Sequence, residues 1–190
     1  MNEDAGLVSR IRQGDLRALE ELYQKYKRPI YRAALAITRD RGAAEEILQD
    51  CFVRAYGAME RAEPAPSLSP WLHRIAVNLS YNWTKRYRRL TLALEALIDS
   101  LTAPTASPEW AAEGKALSEV VQAAVASLGT KQRTAVVLFY LQGFSLREIA
   151  YVLDCPVGTV KSRLHYACKT LRKKLSEDRR LAGEVAYGTP

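Results

Sequence analysis

The sequence predicts an all-α protein with two small helical domains joined by a flexible linker. Nearly every segment repeats its apolar residues at helical spacing, and no run alternates apolar and polar residues between hairpin turns. With 190 residues and 48% hydrophobic content, the chain can bury one core or two smaller ones. A stretch near the middle lacks a sustained helical period and contains the run TAPTASP, which favours two separate cores.

Three helices are predicted in the first 60 residues. The first stops at Gly14, and Asp15 can cap the second. We expect the second to break or kink at Pro29, which has no N–H to donate, before it continues over residues 30–37. The apolar residues of the first helix are Leu7, Val8 and Ile11, and those expected to face one way on the second are Leu16, Leu19, Leu22, Tyr23 and Tyr26.

The third helix, over about residues 43–59, has the clearest apolar stripe of this half. The stripe consists of Ile47, Leu48, Cys51, Phe52, Ala55 and Tyr56. The other side is polar and consists of Glu45, Glu46, Gln49, Asp50 and Arg54. An apolar stripe opposite a polar side is typical of a helix that packs on one face and meets solvent or a partner on the other.

A proline-rich loop and a fourth helix follow. The run EPAPSLSP, residues 63–70, predicts a stiff, solvent-facing loop, and a helix extends from Trp71 to about Arg89. We assign to packing Trp71, Leu72, Ile75, Ala76 and Leu79. The remaining surface mixes aromatics, bases and amides: Tyr81, Trp83, Tyr87, Arg74, Lys85, Arg86, Arg88, Arg89, Asn78 and Asn82. Because aromatic rings stack on unpaired bases while cations hold phosphates, this surface is a candidate for single-stranded DNA; alternatively, its bases only solvate a packed helix.

The fourth helix and the segment after it differ in charge. Residues 71–90 carry five bases and no acid, whereas residues 91–116 carry four acids and one base. The acidic segment should avoid the phosphates that a basic one attracts. The predicted boundaries are residues 1–90 for the first domain, 91–113 for the linker, 114–178 for the second domain and 179–190 for a C-terminal tail.

The second domain ends in a predicted helix-turn-helix, after helices over residues 115–127 and 130–142. Ser145 and Glu148 have capping-box spacing, and the run Asp154-Cys155-Pro156 ends the helix that they start. From Gly158 a second helix begins, and its apolar stripe consists of Val160, Leu164, Ala167, Leu171 and Leu175. Its other flank can reach base edges and phosphates in a major groove. The alternative is an ordinary packed hairpin with a solvated basic face.

Composition excludes several classes of function. The net charge of +7 favours an anionic partner, and no segment has the apolar length of a membrane span. Cys51, Cys155 and Cys168 form no CxxC pair, and His73 lies far from His165 in sequence, so we expect no disulfide framework, no metal site and no cofactor. We expect Cys51 and Cys168 to be buried thiols. The polar start MNEDAGLVSR lacks a signal-peptide region, which predicts a cytoplasmic protein.

Together these segments resemble the extracytoplasmic-function (ECF) group of bacterial RNA polymerase sigma factors. AAEEILQDCFVRAYGAM is similar to the clamp-binding helix of the family's region two, and PWLHRIAVNLSYNWTKRYRR to its promoter-melting helix. LGTKQRTAVVLFYLQGFSLREIAYVLDCPVGTVKSRLHYA is similar to region four along its length. The resemblance covers nearly the whole chain.

The resemblance implies three sets of binding residues. The set that would bind the clamp of the largest polymerase subunit is Glu46, Gln49, Asp50 and Arg54. The set that would bind the minus-ten element, with Asn78 and the proline-rich loop accepting a flipped base, is Asn78, Asn82, Lys85, Arg86, Arg88 and Arg89. The set that would bind the minus-thirty-five element is Thr159, Lys161, Ser162, Arg163, His165, Tyr166 and Lys169. Asn82 stands where many members carry Asp.

The resemblance also implies partners: core RNA polymerase, including the flap of its second-largest subunit, promoter DNA and an anti-sigma factor. A membrane would be involved only through a membrane-anchored anti-sigma protein, and no small-molecule substrate is implied. A stand-alone helix-turn-helix regulator is the alternative, although it leaves the aromatic and basic helix without a role. An enzyme acting on nucleic acid ranks last, because we find no paired carboxylates, metal-ligand cluster or activated nucleophile.

Overall fold

The computed structural model describes the backbone of residues 3–59, 67–95 and 115–177, and the side chains of 3–59, 67–87 and 120–176. These residues form helices without a strand, which confirms the all-α prediction. The first half contains α1 (Glu3–Arg12), α2 (Leu16–Thr38), α3 (Arg41–Met59) and α4 (Leu68–Glu95). The second contains α5 (Lys115–Ala126), α6 (Thr130–Val136), a π-helical turn (Val137–Leu141), α7 (Leu146–Leu153) and α8 (Val157–Glu177).

In the first half, α2, α3 and α4 pack around one core, and α1 lies across α2 and α3. The core includes Ile11, Leu22, Ile30, Ile47, Cys51, Met59 and Leu72. The predicted cap is confirmed, because Asp15 Oδ1 accepts hydrogen bonds from the N–H groups of Arg17 (2.9 Å) and Ala18 (3.3 Å). Gly14 precedes it with φ of +86°, a conformation that glycine adopts without a steric penalty.

One prediction for α2 is wrong, and one of the two alternatives predicted at Pro29 is not observed. Leu16 is 68% exposed. It lies two residues before Ala18, the first buried residue of α2, and two residues correspond to about 200° around a helix, so its side chain points away from the core. The helix is not broken at Pro29 and continues to Thr38, whereas a kink there stays a prediction. Burial of Tyr26 and Ile30 on either side of the proline keeps the segment helical, which offsets the missing hydrogen bond.

The limits of α4 also differ from the prediction. It starts at Leu68, so Pro70 lies in the first turn, where a helix needs no N–H donor. It ends at Glu95, so residues 91–95 of the predicted linker are helical. The rest of that linker, most of the proline-rich loop and the C-terminal tail lie outside the described residues.

The second half contains an element that the helical spacing of the sequence does not predict, the π-helical turn after α6. Val137 and Leu138 are buried there, whereas Tyr140 and Leu141 are 63% and 59% exposed. Gly143 then adopts φ of +69° and leads the chain into α7. The inner residues of this half include Leu128, Val136 and Ala167.

The two halves pack against each other. Helix α7 lies on α4, and α6 with the π-helical turn lies on α2. A buried apolar cluster spans the boundary and consists of Ile37 and Val77 from the first half with Leu138, Phe144, Ile149, Val152 and Val160 from the second. Val77 and His73 are buried by this contact, so α4 is covered on two faces and not only on the predicted one.

Candidate nucleic-acid interface

The helix-turn-helix is positioned by local hydrogen bonds that the sequence predicted. The N–H of Ser145 donates to Glu148 Oε2 at 2.8 Å, and the N–H of Glu148 donates to Ser145 Oγ at 3.3 Å. Asp154 ends α7 in the left-handed conformation, with φ of +48°. The carbonyl of Pro156 accepts from the N–H groups of Thr159 and Val160, which starts α8.

Packing decides which flank of α8 is free. Val160 and Ala167 are buried, and Leu164 and Leu171 are half-buried against the rest of the second half. The exposed residues of the predicted minus-thirty-five set are Lys161, Ser162, His165, Tyr166 and Lys169. Thr159 and Arg163 are half-buried, and Arg163 Nη1 lies 3.6 Å from Cys155 Sγ. Five of the seven residues therefore lie on one accessible surface.

An open groove of about 700 Å³ adjoins this surface. Phe139 and Tyr140 of the π-helical turn line one side, and Lys161, His165 and Lys169 of α8 line another. The two aromatics were not among the predicted site residues, because a helical period read through residues 130–142 hides the π-helical turn. The groove places apolar side chains beside cations, a combination that suits a nucleic acid or a protein.

The predicted single-strand surface on α4 is only partly assembled. Asn78, Asn82, Lys85 and Arg86 are exposed, on a face away from the core. The rings of Trp83 and Tyr87 stack on each other, with centroids 4.9 Å apart and planes 10° apart. The set also includes Arg88 and Arg89, whose side chains lie outside the part of the chain that the structure describes.

Two residues assigned to this surface point elsewhere. Tyr81 is half-buried, and its hydroxyl is fully buried near Thr134 of the second half. Arg74 contacts α7: its guanidinium donates to Tyr151 O at 3.1 Å and to Asp154 Oδ1 at 3.0 Å, and it lies 4.9 Å from the centre of the Tyr151 ring. The prediction that they lie on the nucleic-acid surface is wrong, because the second half covers that side of α4.

The polar side of α3 is a separate exposed surface. The residues of the predicted clamp-binding set are all exposed: Glu46, Gln49, Asp50 and Arg54. Val53 lies among them and is 72% exposed. Val53 was not among the predicted site residues, although its position three residues after Asp50 and four after Gln49 places it on the same face of the helix. A single exposed apolar residue does not by itself mark an interface, but Val53 adds apolar area to this polar face, as the core of a protein contact requires.

The cysteines differ in their surroundings. Cys51 is fully buried, and burial raises the pKa of its thiol to about 12, so this group is protonated at neutral pH. Cys168 is only half-buried, contrary to prediction, and lies 3.6 Å from the hydroxyl of Tyr140 because both line the edge of the groove. Within the described part of the chain, no group of three His, Cys, Asp or Glu side chains could hold a metal ion.

Two family models match the chain. Sigma-70 region 2 matches residues 22–90, and sigma-70 region 4 matches residues 118–171. Similar proteins include ECF RNA polymerase sigma factor SigW of Bacillus subtilis, 31% identical over 179 residues, which span 90% of this chain and 95% of SigW. RNA polymerase sigma-H factor of Pseudomonas aeruginosa is 32% identical over 181 residues, spanning 91% and 94% of the two chains.

Solved structures share the fold. The sigma factor RpoE of Bartonella quintana, in complex with the anti-sigma factor NepR, has a TM-score of 0.66 and 22% identity, covering 84% of this chain and 98% of RpoE. A chain from the structure of CnrH with the cytosolic domain of CnrY has a TM-score of 0.66 and 25% identity, covering 90% and 96%. Both similarities extend over the two halves of the chain.

Proposed function

This chain belongs to the ECF group of RNA polymerase sigma factors, and on that premise we propose that it binds core RNA polymerase and directs it to specific promoters. One observation carries the proposal. The chain exposes a polar, partly basic surface on α4 and another on α8, in the segments that the two region models match. A sigma factor is not an enzyme, so the polymerase supplies the catalysis.

The proposed role of α8 is to read the minus-thirty-five element as duplex. Its exposed flank carries Lys161, His165 and Lys169, which can donate to base edges and phosphates in a major groove. Ser162 Oγ donates to Gly158 O at 3.0 Å in the free protein and can keep that bond while accepting another. We assign Arg163 and Thr159, at the margin of the flank, to phosphate contacts.

The proposed role of α4 is to hold the minus-ten element after strand separation. Asn78 is exposed and has an amide that can both donate to and accept from the edge of a flipped base. Lys85 and Arg86 follow two turns later, where they can bind neighbouring phosphates, together with Arg88 and Arg89. Extrusion of a base costs a few kcal/mol, which these contacts must offset.

The proposed role of α3 is to bind the clamp of the largest polymerase subunit. Its exposed charges, together with Val53, form a surface that is separate from both DNA-binding surfaces. The flap of the second-largest subunit would contact the second half. We include an anti-sigma factor among the partners, because the similar sigma factor RpoE was solved in complex with the anti-sigma factor NepR, and CnrH in complex with the cytosolic domain of CnrY.

The proposed location is the cytoplasm, where promoters and polymerase are found. Among the described helices, none is long and apolar enough to cross a bilayer. In this proposal a membrane is involved only through an anchored anti-sigma protein.

Run-off transcription tests the proposal. Purified chain and core polymerase together should transcribe a subset of a promoter library, whereas core alone and chain alone should yield no specific transcript. A pull-down with core measures the binding step separately. If the chain binds operator DNA tightly by itself but never binds core, the alternative of a stand-alone helix-turn-helix regulator replaces this proposal.

A further inference from the structure

The groove beside α8 has two unlike walls. On one side lie Phe139 and Tyr140 of the π-helical turn, whose rings meet edge to face with centroids 4.9 Å apart. The basic side chains on the other side, all from α8, are Lys161, His165, Lys169 and Arg172. Phe139, Tyr140 and Arg172 belong to none of the three predicted binding sets, so the proposed function leaves part of the groove without a role.

The π-helical turn explains why the aromatic wall is exposed. The N–H of Gln142 donates to Val137 O at 3.1 Å, five residues back, whereas an α-helix bonds four residues back. The wider turn holds an extra residue before the chain returns to the core. Val137 and Leu138 are buried, and the next three side chains are 36%, 63% and 59% exposed: Phe139, Tyr140 and Leu141. Exposed apolar side chains that adjoin one another mark a surface that binds something.

The basic wall is a line of positive charge along α8. Its four residues follow at intervals of four, four and three, which places them on one side of the helix over about 16 Å. In the part of the chain that the structure describes, none of the nine residues that line the groove is acidic. A wall of this kind attracts an anion, and the aromatic wall opposite requires that the anion also has an apolar part.

Binding of α8 in a major groove would bring a DNA strand to this place. A helix with its side chains is about 10–12 Å across and the major groove is about 12 Å wide, so α8 fills it and has a sugar–phosphate strand along each side. Lys161 and His165 belong to the exposed flank that the proposed function assigns to DNA, and they also line the groove. The π-helical turn, which forms the opposite wall, therefore lies beside one of the two strands.

A sugar–phosphate strand matches the chemistry of both walls. Deoxyribose presents C–H groups that can pack against aromatic rings, and each phosphate carries a charge that Lys and Arg bind. The hydroxyl of Tyr140, which lies 3.6 Å from Cys168 Sγ in the free chain, can also donate to a phosphate oxygen. An acidic amphipathic helix would match the walls too, but it would compete with DNA for Lys161 and His165. Continuity with the DNA-binding flank therefore favours the strand.

We propose that the groove between the π-helical turn and α8 binds the backbone of one strand that borders the minus-thirty-five element. Phe139 and Tyr140 contact the sugars, and Lys169 and Arg172 bind the phosphates. This proposal rests on the proposed function, because it requires α8 to lie in the major groove. Backbone contacts carry no base identity, so they strengthen binding to every minus-thirty-five sequence alike and fix the register of α8 on the duplex.

Two variants of the full-length chain, each assembled with core polymerase, remove one wall at a time. Tyr140→Ala removes the more exposed ring, and Arg172→Ala removes a cation at an exposed helical position. The control for the first is Leu141→Ala, at a residue that is 59% exposed but does not line the groove. The control for the second is Lys174→Ala, an exposed cation about 200° around α8 from Arg172. Circular dichroism establishes that each variant retains its helices; if Tyr140→Ala does not, Arg172→Ala decides the result.

Titration of each holoenzyme with promoter duplexes, at several salt concentrations, gives the first readout. The duplexes are a promoter that the run-off library selects and variants of its minus-thirty-five element. We expect Tyr140→Ala and Arg172→Ala to weaken binding about fivefold for every sequence. Arg172→Ala should also lower the slope of log Kd against log salt by about one, the loss of one phosphate contact, whereas Tyr140→Ala should leave the slope nearly unchanged. Neither control should change the affinity or the slope.

Duplexes with a single neutral phosphate locate the contact. A methylphosphonate removes the charge of one phosphate, and a scan along both strands of the minus-thirty-five element shows which phosphates the wild-type holoenzyme needs. A contact that is already lost cannot be lost again. Arg172→Ala should therefore become insensitive at one or two adjacent positions of one strand, and Lys174→Ala should keep the wild-type profile.

The outcomes separate DNA from other occupants of the groove. Arg172→Ala that stays sensitive at every phosphate, or variants that bind promoters as well as their controls do, overturn the groove as a DNA-binding site. Weaker binding to core, with unchanged promoter affinity of the assembled holoenzyme, assigns the groove to an acidic protein segment instead. A wild-type holoenzyme without preference for the promoter over unrelated DNA overturns the proposed function itself, whereas normal wild-type preference with unaffected variants overturns only the groove.

Discussion

At the scale of single residues, Lys161 and His165 lie one turn apart on the exposed flank of α8. We predict that Lys161→Ala or His165→Ala changes the preference among minus-thirty-five sequences, because loss of a base contact costs about 1–3 kcal/mol at one base pair only. Binding to a library of duplexes measures this. A uniform loss across all sequences, with a weaker salt dependence, would assign the side chain to phosphate instead. Lys131→Ala, at an exposed lysine of α6, is the control.

Asn78 provides the corresponding test on α4. Its side chain is exposed and outside the core, so Asn78→Ala should leave the fold intact. We predict a loss of about tenfold in open complexes, the equivalent of one hydrogen bond to a base, with initial duplex binding nearly unchanged. Permanganate reactivity of unpaired thymines reports opening, and gel mobility at low temperature reports duplex binding. Equal losses in both would count against a role in melting.

At the scale of elements, the short helix α7 depends on its cap. Ser145 and Glu148 satisfy each other's N–H groups, and an eight-residue helix is marginal without such help. We predict that Ser145→Ala lowers the free energy of unfolding by about 1 kcal/mol, measured by urea denaturation. Ser176→Ala, at an exposed serine in the last turn of α8, should change it by less than about 0.5 kcal/mol.

Helix α3 allows a test of the polymerase-binding surface. Val53→Asp changes a side chain that is 72% exposed, so the stability of the protein should hardly change. We predict about a tenfold weaker affinity for core polymerase, because an apolar contact at the centre of an interface is replaced by a charge. Leu16→Asp, at the 68% exposed leucine of α2, is the matched control. If both variants bind core equally well, α3 is not the contact surface.

At the scale of the whole molecule, His73 links pH to the contact between the two halves. Burial lowers the pKa of this imidazole below its ordinary value of 6.5, so the native protein binds fewer protons there than the unfolded chain. The contribution of His73 to the free energy of unfolding is therefore fully present above pH 6.5. It is lost as the pH drops below that value, by at most about 1.4 kcal/mol per pH unit. Thermal unfolding between pH 7.5 and 5 measures this loss.

His73→Gln should flatten that pH dependence, because the group that must take up a proton is gone. His165→Gln, at the exposed histidine of α8, should retain it. A pH dependence that survives in His73→Gln would mean that other groups control the acid response. Both variants keep a side chain of similar size and polarity, so a difference between them reflects titration at the boundary.

Local features of the fold were predictable from the sequence alone. The caps at Asp15 and Ser145, the stop at Asp154 and the apolar stripe of α3 all follow from hydrogen bonds or spacings within a few residues. So does the exposure of the predicted α3 and α8 surfaces, since each lies opposite an apolar stripe. Family membership follows from the same local patterns in their order.

Tertiary structure alone decided the rest. Arg74 and Asp154 are 80 residues apart, and Arg133 and Ile37 are 96 apart, so no local pattern shows that they meet. The second half turned Arg74 and Tyr81 away from the nucleic-acid surface, and packing on both sides of Pro29 kept α2 whole. The sequence by itself determined the helices and the family, because short-range bonds and periodicity specify both. The packing of the two halves against each other could be seen only in the folded chain, because it depends on contacts between residues that are distant in sequence.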